Sequence, residues 1–115
     1  MKIMPPISWS DFEKVEIRCG TVIEVKDFTK AKKPAFQLWI DFGEETGIKK
    51  SSAQITRHYK KEDLLQKQVI AVVNFPPKQI ADFFSECLVL GVYDENNHVI
   101  LLHPERPVKN GQRIG

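Results

Sequence analysis

The stretch Val15-Glu-Ile-Arg-Cys-Gly-Thr-Val-Ile-Glu-Val-Lys26 carries Val15, Ile17, Cys19, Thr21, Ile23 and Val25 on one side and Glu16, Arg18, Gly20, Val22, Glu24 and Lys26 on the other. Side chains alternate across an extended chain, so this period of two predicts a long, half-buried strand. Gly20 in its middle predicts a bulge or bend, the device with which a small barrel turns a corner. Upstream, Ser8-Trp-Ser-Asp-Phe-Glu13 predicts a helix of one or two turns. Ser8 or Ser10 is expected to cap it, with Asp11 and Glu13 in its first turn and Phe12 and Val15 sharing a face.

Downstream, a basic connection runs to Pro34 before Phe36, Leu38, Ile40 and Phe42 alternate with Gln37, Trp39 and Asp41, a second strand. Gly43–Gly47 reads as a turn, Ile48–Ile55 as a more polar third strand, and Tyr59–Gln66 as a short helix. The run Val69–Phe75, apolar but for Asn74, predicts a strand buried on both faces, stopped by Pro76-Pro77. Leu88–Tyr93 and His98–Leu102 flank the turn formers Asp94-Glu-Asn-Asn97 as a hairpin. The tail from Pro104 is expected to be irregular or to lie on a partner. Strands at turn-separated spacing with a helix between the third and fourth predict an all-β, five-stranded Greek-key barrel of the OB-fold type, with a second short helix at the N-terminus. SH3-like barrels and small sandwiches share the same pattern.

At 115 residues the chain is expected to form a single domain over 1–115. Its 42% hydrophobic and 28% charged content excludes a disordered or low-complexity chain. The opening Met1-Lys-Ile-Met-Pro-Pro6 lacks the apolar run of a signal peptide, and no run approaches the ~20 residues of a membrane span. A cytoplasmic protein with no membrane insertion is expected. Cys19 and Cys87 make no disulfide framework and, with no CxxC, suggest no zinc; both are expected reduced and buried.

No catalytic set emerges: the chain lacks GxSxG, a P-loop and GxGxxG, so no enzyme and no cofactor are expected. His58, His98 and His103 show no metal-ligand spacing, so no metal site is expected either. Charge is unevenly spread. The segment 26–61 holds nine basic and four acidic residues, a surplus of five, against a whole-chain net of +2. In an OB barrel the second and third strands and the loop before them often touch nucleic acid. Lys32, Lys33, Lys49, Lys50 and Lys78 are therefore candidate phosphate ligands, with Trp39 as a stacking platform and Ser51, Ser52 and Gln54 beside them. The bland alternatives are a solvated lysine surface and a partly covered aromatic.

The stretch Asn74-Phe-Pro-Pro-Lys-Gln-Ile-Ala-Asp-Phe-Phe-Ser-Glu-Cys87 sets three Phe on an irregular connection. Such rings either plug the barrel or line an exposed groove suited to extended peptide or stacked bases. Both hold if Ile80 and Phe83 point inward while Phe75, Pro77 and Phe84 point outward.

These residues also carry a resemblance. Asp11-Phe-Glu-Lys-Val-Glu-Ile-Arg-Cys-Gly-Thr-Val-Ile23, Lys50-Ser-Ser-Ala-Gln-Ile55, Val72-Val-Asn-Phe-Pro-Pro-Lys-Gln-Ile80, Ser85-Glu-Cys-Leu-Val-Leu-Gly91 and the closing Gly111-Gln-Arg-Ile-Gly115 resemble the tRNA-binding-domain superfamily, and within it the CsaA-type secretion chaperones. The resemblance implies an OB-fold homodimer with terminal segments in its interface. It also implies a pocket near the dimer seam for unfolded preproteins, working with a SecA-like Sec export motor; the superfamily's RNA-binding branches hold tRNA on the corresponding face. The implied peptide-binding residues are Asn74, Phe75, Pro76, Pro77, Gln79, Phe83, Phe84, Ser85 and Glu86, with Ser51, Ser52 and Gln54 on the neighbouring strand. Lys78 is the one cation of the 74–87 run, beside Asp82 and Glu86, so any tRNA binding is expected to be weak.

Overall fold

Strand β1 (Ile17–Asp27) bends across two partners: its first half, Ile17–Thr21, pairs antiparallel with β4 (Gln68–Val72), and its second, Thr21–Asp27, with β2 (Phe36–Asp41). The computed structural model describes residues 3–115; Met1 and Lys2, the first two residues of the segment read above for a leader, lie outside the described residues. β2 continues to β3 (Ile48–Ala53) and β4 to the two-residue β7 (Leu88–Val89), giving the sheet order β3-β2-β1-β4-β7. The Glu86 N–H donates to the Lys50 carbonyl at 2.7 Å, which draws the far edge back to β3. The result is a nearly closed antiparallel five-stranded barrel, an OB fold.

Among the described residues, three short helices serve it. Helix α1 (Trp9–Glu13) starts at Ser8, whose side chain accepts from the Asp11 N–H while the Asp11 carboxylate accepts from the Ser8 N–H. Helix α2 (Gly43–Thr46) stands where the sequence reads as a turn, and α3 (Lys61–Leu64) separates β3 from β4. No helix among the described residues is long and apolar enough to cross a membrane. Two hairpins lie outside the main sheet: β5 (Lys78–Ile80) with β6 (Phe83–Ser85), and β8 (Gly91–Tyr93) with β9 (Val99–Leu101). The β8–β9 hairpin was expected; β5–β6 replaces what reads in sequence as an irregular connection.

Phe36, Leu38, Ile40 and Phe42 fill the barrel with Val22, Leu64, Val69, Ala71 and Val73. In β1 the inward side differs from the alternation. Val22 enters the core and Ile23 faces outward, and the bulge, which falls between Val22 and Glu24 rather than at Gly20, brings Val25 back against the core. Gly20 has a different physical role. A Cβ there would stand 2.7 Å from side-chain atoms of Ile40 and Phe42 and 2.8 Å from the Asp41 carbonyl, so the strands approach too closely for any side chain. Cys19 is buried outside the barrel core, where the tail runs beside β1. That tail does not leave its own chain: the Gly111 N–H donates to Cys19 O, the Cys19 N–H to Gln112 O, and the Ile114 N–H to Ile17 O. Both cysteines are free thiols, buried as expected.

Candidate functional site

The β5–β6 hairpin lies on the outer face of the barrel. Alternation sends Leu38 and Ile40 inward and Trp39 outward, and Phe83 packs on that outward face with its ring 5.9 Å from Trp39 and 5.3 Å from Phe28. Ala35, Ala31 and Ile80 complete a small second core. Lys50, opposite Trp39 in the β2–β3 register, places its ammonium 5.2 Å from the Phe83 ring centre. At the turn, Lys30 Nζ donates to Asp82 Oδ2 at 2.7 Å, tying the hairpin to the β1–β2 connection.

Anchoring Phe83 decides where its neighbours go. Phe83 is 6% exposed, whereas Phe84, the next residue of a strand, is 48% exposed on the opposite side and Phe75 is 52% exposed before the hairpin. Phe75, Pro76, Lys78, Ser85, Cys87 and Leu88 line a cleft of about 310 Å³. Leu88 at its edge is 49% exposed and was not among the expected site residues. The available signal was that Cys87 is buried, so its neighbour on an extended chain faces out. Burial pushes the Cys87 thiol up to about 12, with Lys49 opposing it weakly. Cys87 itself packs with the barrel core as a neutral thiol and brings no charge to the cleft wall.

The polar residues expected on the rim are mostly committed to the chain itself. Asn74 accepts from the Glu16 N–H at 2.9 Å and donates to Lys14 O at 2.8 Å, pinning the segment between α1 and β1. Ser85 Oγ accepts from the Ser52 N–H and donates to Cys87 O; Glu86 accepts from the Lys50 N–H. Gln79 donates to Ala81 O within the exposed hairpin turn. Pro77 is exposed but does not line the cleft, and Lys78 is the cation on its edge.

The residues expected to meet RNA separate into two groups. Lys32, Lys33, Ser52 and Gln54 meet Lys30 and Gln79 around a second cleft of about 390 Å³ on the other side of the hairpin. Ser51 is the correction: at 1% exposed, its hydroxyl donates to Cys87 O inside the protein and cannot touch a ligand. Ser51 and Lys49 stand opposite Leu38 and Ile40 in the register, on the barrel side of β3, whereas Lys50 and Ser52 share the outer side with Trp39 and Gln37. Trp39 is part-buried, edge-on to Phe83 and with Lys26 Nζ 5.1 Å from its centre, so its ring is no open stacking platform. A larger cleft of about 620 Å³ between α2 and the tail includes Arg18. That guanidinium is already held by Glu16 and by the Gly111 carbonyl.

A family model for a putative tRNA binding domain matches residues 17–113. The chain belongs to this tRNA-binding domain family. The matched span includes every residue of both clefts. Within the family, the fold and sequence are similar to the crystal structure of the CsaA chaperone protein from Picrophilus torridus, with 52% identity over 96% of this chain and 100% of that one at a TM-score of 0.90. Chaperone CsaA from Bacillus anthracis is 48% identical over the same shares at a TM-score of 0.91. The methionine–tRNA ligase of Pyrococcus horikoshii is 35% identical over 113 residues, 98% of this chain but 15% of the ligase, so the chain spans a small fraction of that enzyme's length.

Sequence spacing gives no hint of one further cluster. His58, ahead of α3, meets Asp94 and His98 of the β8–β9 turn: His58 Nε2 lies 2.7 Å from Asp94 Oδ2, and His98 Nδ1 4.0 Å from Asp94 Oδ1. Hydrogen bonds from the His98 N–H, the His58 ring and the Asn96 N–H lower the Asp94 carboxyl to about 2.

Proposed function

We propose that the protein is a non-enzymatic, cytoplasmic chaperone that holds apolar segments of unfolded or presecretory polypeptide at the cleft between Phe75 and Leu88. We further propose that it acts as a homodimer with a SecA-like export motor. The observation that carries the reading is the apolar surface left in water here: Phe75 and Leu88, half-exposed on the cleft lining, and Phe84, half-exposed on the hairpin next to the buried Phe83 and outside that lining. Holding Phe83 in the second core keeps its neighbours from collapsing inward, so apolar surface stays open to a client. Each ring leaves roughly 100 Å² uncovered, and at about 25 cal/mol per Å² two rings and Leu88 supply several kcal/mol before ordering costs. Rim polar groups satisfied internally add little side-chain selectivity, consistent with a holder of varied sequences. Likeness to CsaA chaperones over nearly the whole chain supports the same reading. The exposed apolar residues Ile3, Met4, Ile7 and Trp9 support dimerisation through the N-terminal segment.

The test is suppression of client aggregation. Phe75→Ala and Phe84→Ala together are expected to abolish most protection while leaving fold and dimer intact; protection equal to the parent would remove the cleft from the mechanism.

A second reading, a tRNA-binding module, rests on the lysine cleft of Lys30, Lys32 and Lys33 and on the family match. It predicts a steep fall of affinity with salt, about −0.9 or less in log–log slope per phosphate contact. Peptide held by apolar burial is expected to be nearly indifferent to salt, so one titration at two ionic strengths separates the two.

A further inference from the structure

We propose that His58, Asp94 and His98 form a surface site for a divalent transition ion of the zinc class, which clips the β8–β9 hairpin to the segment leading into α3. One nitrogen from each imidazole and a carboxylate oxygen already lie within 4.8 Å of one another, and the rings stand nearly perpendicular with centres 5.8 Å apart. Ligand atoms about 2.0–2.1 Å from a tetrahedral ion sit roughly 3.3 Å from each other. His58 Nε2 and Asp94 Oδ2, at 2.7 Å, stand closer than that spacing, and with all three ligand atoms inside 4.8 Å rotamer adjustments suffice to reach it.

The backbone holds both halves of the site in place. Asp94 divides its two oxygens: Oδ1 accepts the Asn96 and His98 N–H groups at 2.9 Å each and fixes the turn, while Oδ2 faces His58. An ion can therefore take Oδ2 without undoing the turn. On the other side, Tyr59, next to His58, accepts the Leu101 N–H on its hydroxyl at 2.9 Å, anchoring that segment to β9. Two imidazoles and one carboxylate suit Zn²⁺, Co²⁺, Ni²⁺ or Cu²⁺, with hard Mg²⁺ and Ca²⁺ disfavoured. All three side chains reach solvent, leaving the fourth position to water.

The test titrates Co²⁺, then competing Zn²⁺, into the full chain freed of any affinity tag, following visible absorption and the melting temperature. One ion per chain is expected, with a raised melting temperature that a chelator reverses. His58→Gln and His98→Gln are each expected to weaken binding by about tenfold or more, while His103→Gln leaves it unchanged. Circular dichroism checks that each variant is folded. Absence of saturable binding, an affinity equal to the parent's in both His58→Gln and His98→Gln, or a thiolate charge-transfer band assigning the ion to a cysteine would each overturn the proposal.

Discussion

The barrel core and the small core beneath the β5–β6 hairpin are built on opposite faces of one strand, yet they do different work. Inside the barrel, Leu38 and Ile40 meet side chains from β1 and β4 and the end of α3, so burial is shared and redundant. Outside it, Phe83 rests on Trp39, Phe28 and a few smaller groups, and the hairpin is held by that ring, the Lys30–Asp82 pair and the hydrogen bonds of Ser85 and Glu86 to β3. The barrel sets the fold. The outer core sets which of three phenylalanines stays in water, and so makes the surface that the proposed function needs.

Substitutions that separate the two regions are expected to fall in a clear order. Leu38→Ala removes a fully buried side chain from the barrel and is expected to cost about 3–5 kcal/mol in denaturant unfolding, with loss of protection throughout the sheet in hydrogen exchange. Phe83→Ala is expected to cost about 3 kcal/mol, and its exchange pattern is the sharper readout: amides 78–85 open while β1, β2 and β4 stay protected. If the whole barrel opened together, the two cores would be one. Ser85→Ala, which loses contacts to the Ser52 N–H and Cys87 O, is expected to cost about 1 kcal/mol. Phe75→Ala is expected to cost about 1 kcal/mol or less, since half of the ring is already in water.

The β8–β9 turn adds a pH signature independent of both cores. The folded-state carboxyl of Asp94 is lowered to about 2, so its contribution to stability is complete above the unfolded value of about 4. That contribution is lost as pH falls from about 4 towards 2. Asp94→Asn is expected to flatten the stability curve over that interval.

Legibility in the sequence followed the same division. β2 was readable because both its faces are covered and every second residue is apolar, and β4 because an unbroken apolar run needs cover on both sides. The bulge in β1 was not, since Val22 and Ile23 are equally apolar and only the pairing with β2 decides which turns inward. The β5–β6 hairpin was missed because its strands are three residues each, too short for a period, and its turn uses Ala81 at a φ of 54° in place of a glycine. At the site, the opposite directions of Phe83 and Phe84 follow from alternation alone. The internal commitments of Asn74, Ser85 and Glu86 did not show, because their partners, the Cys87 carbonyl bonded by Ser85 aside, lie 33 to 60 residues away in sequence.

The most direct measurement is equilibrium binding of a fluorescent, apolar, unstructured peptide to the parent and to the Phe75→Ala/Phe84→Ala double variant. Losing two half-exposed rings is expected to weaken binding by roughly tenfold or more, at low and moderate salt alike. Equal affinity of parent and variant, or binding by the parent that vanishes as salt rises, would show that the rings beside Phe83 do not hold the client.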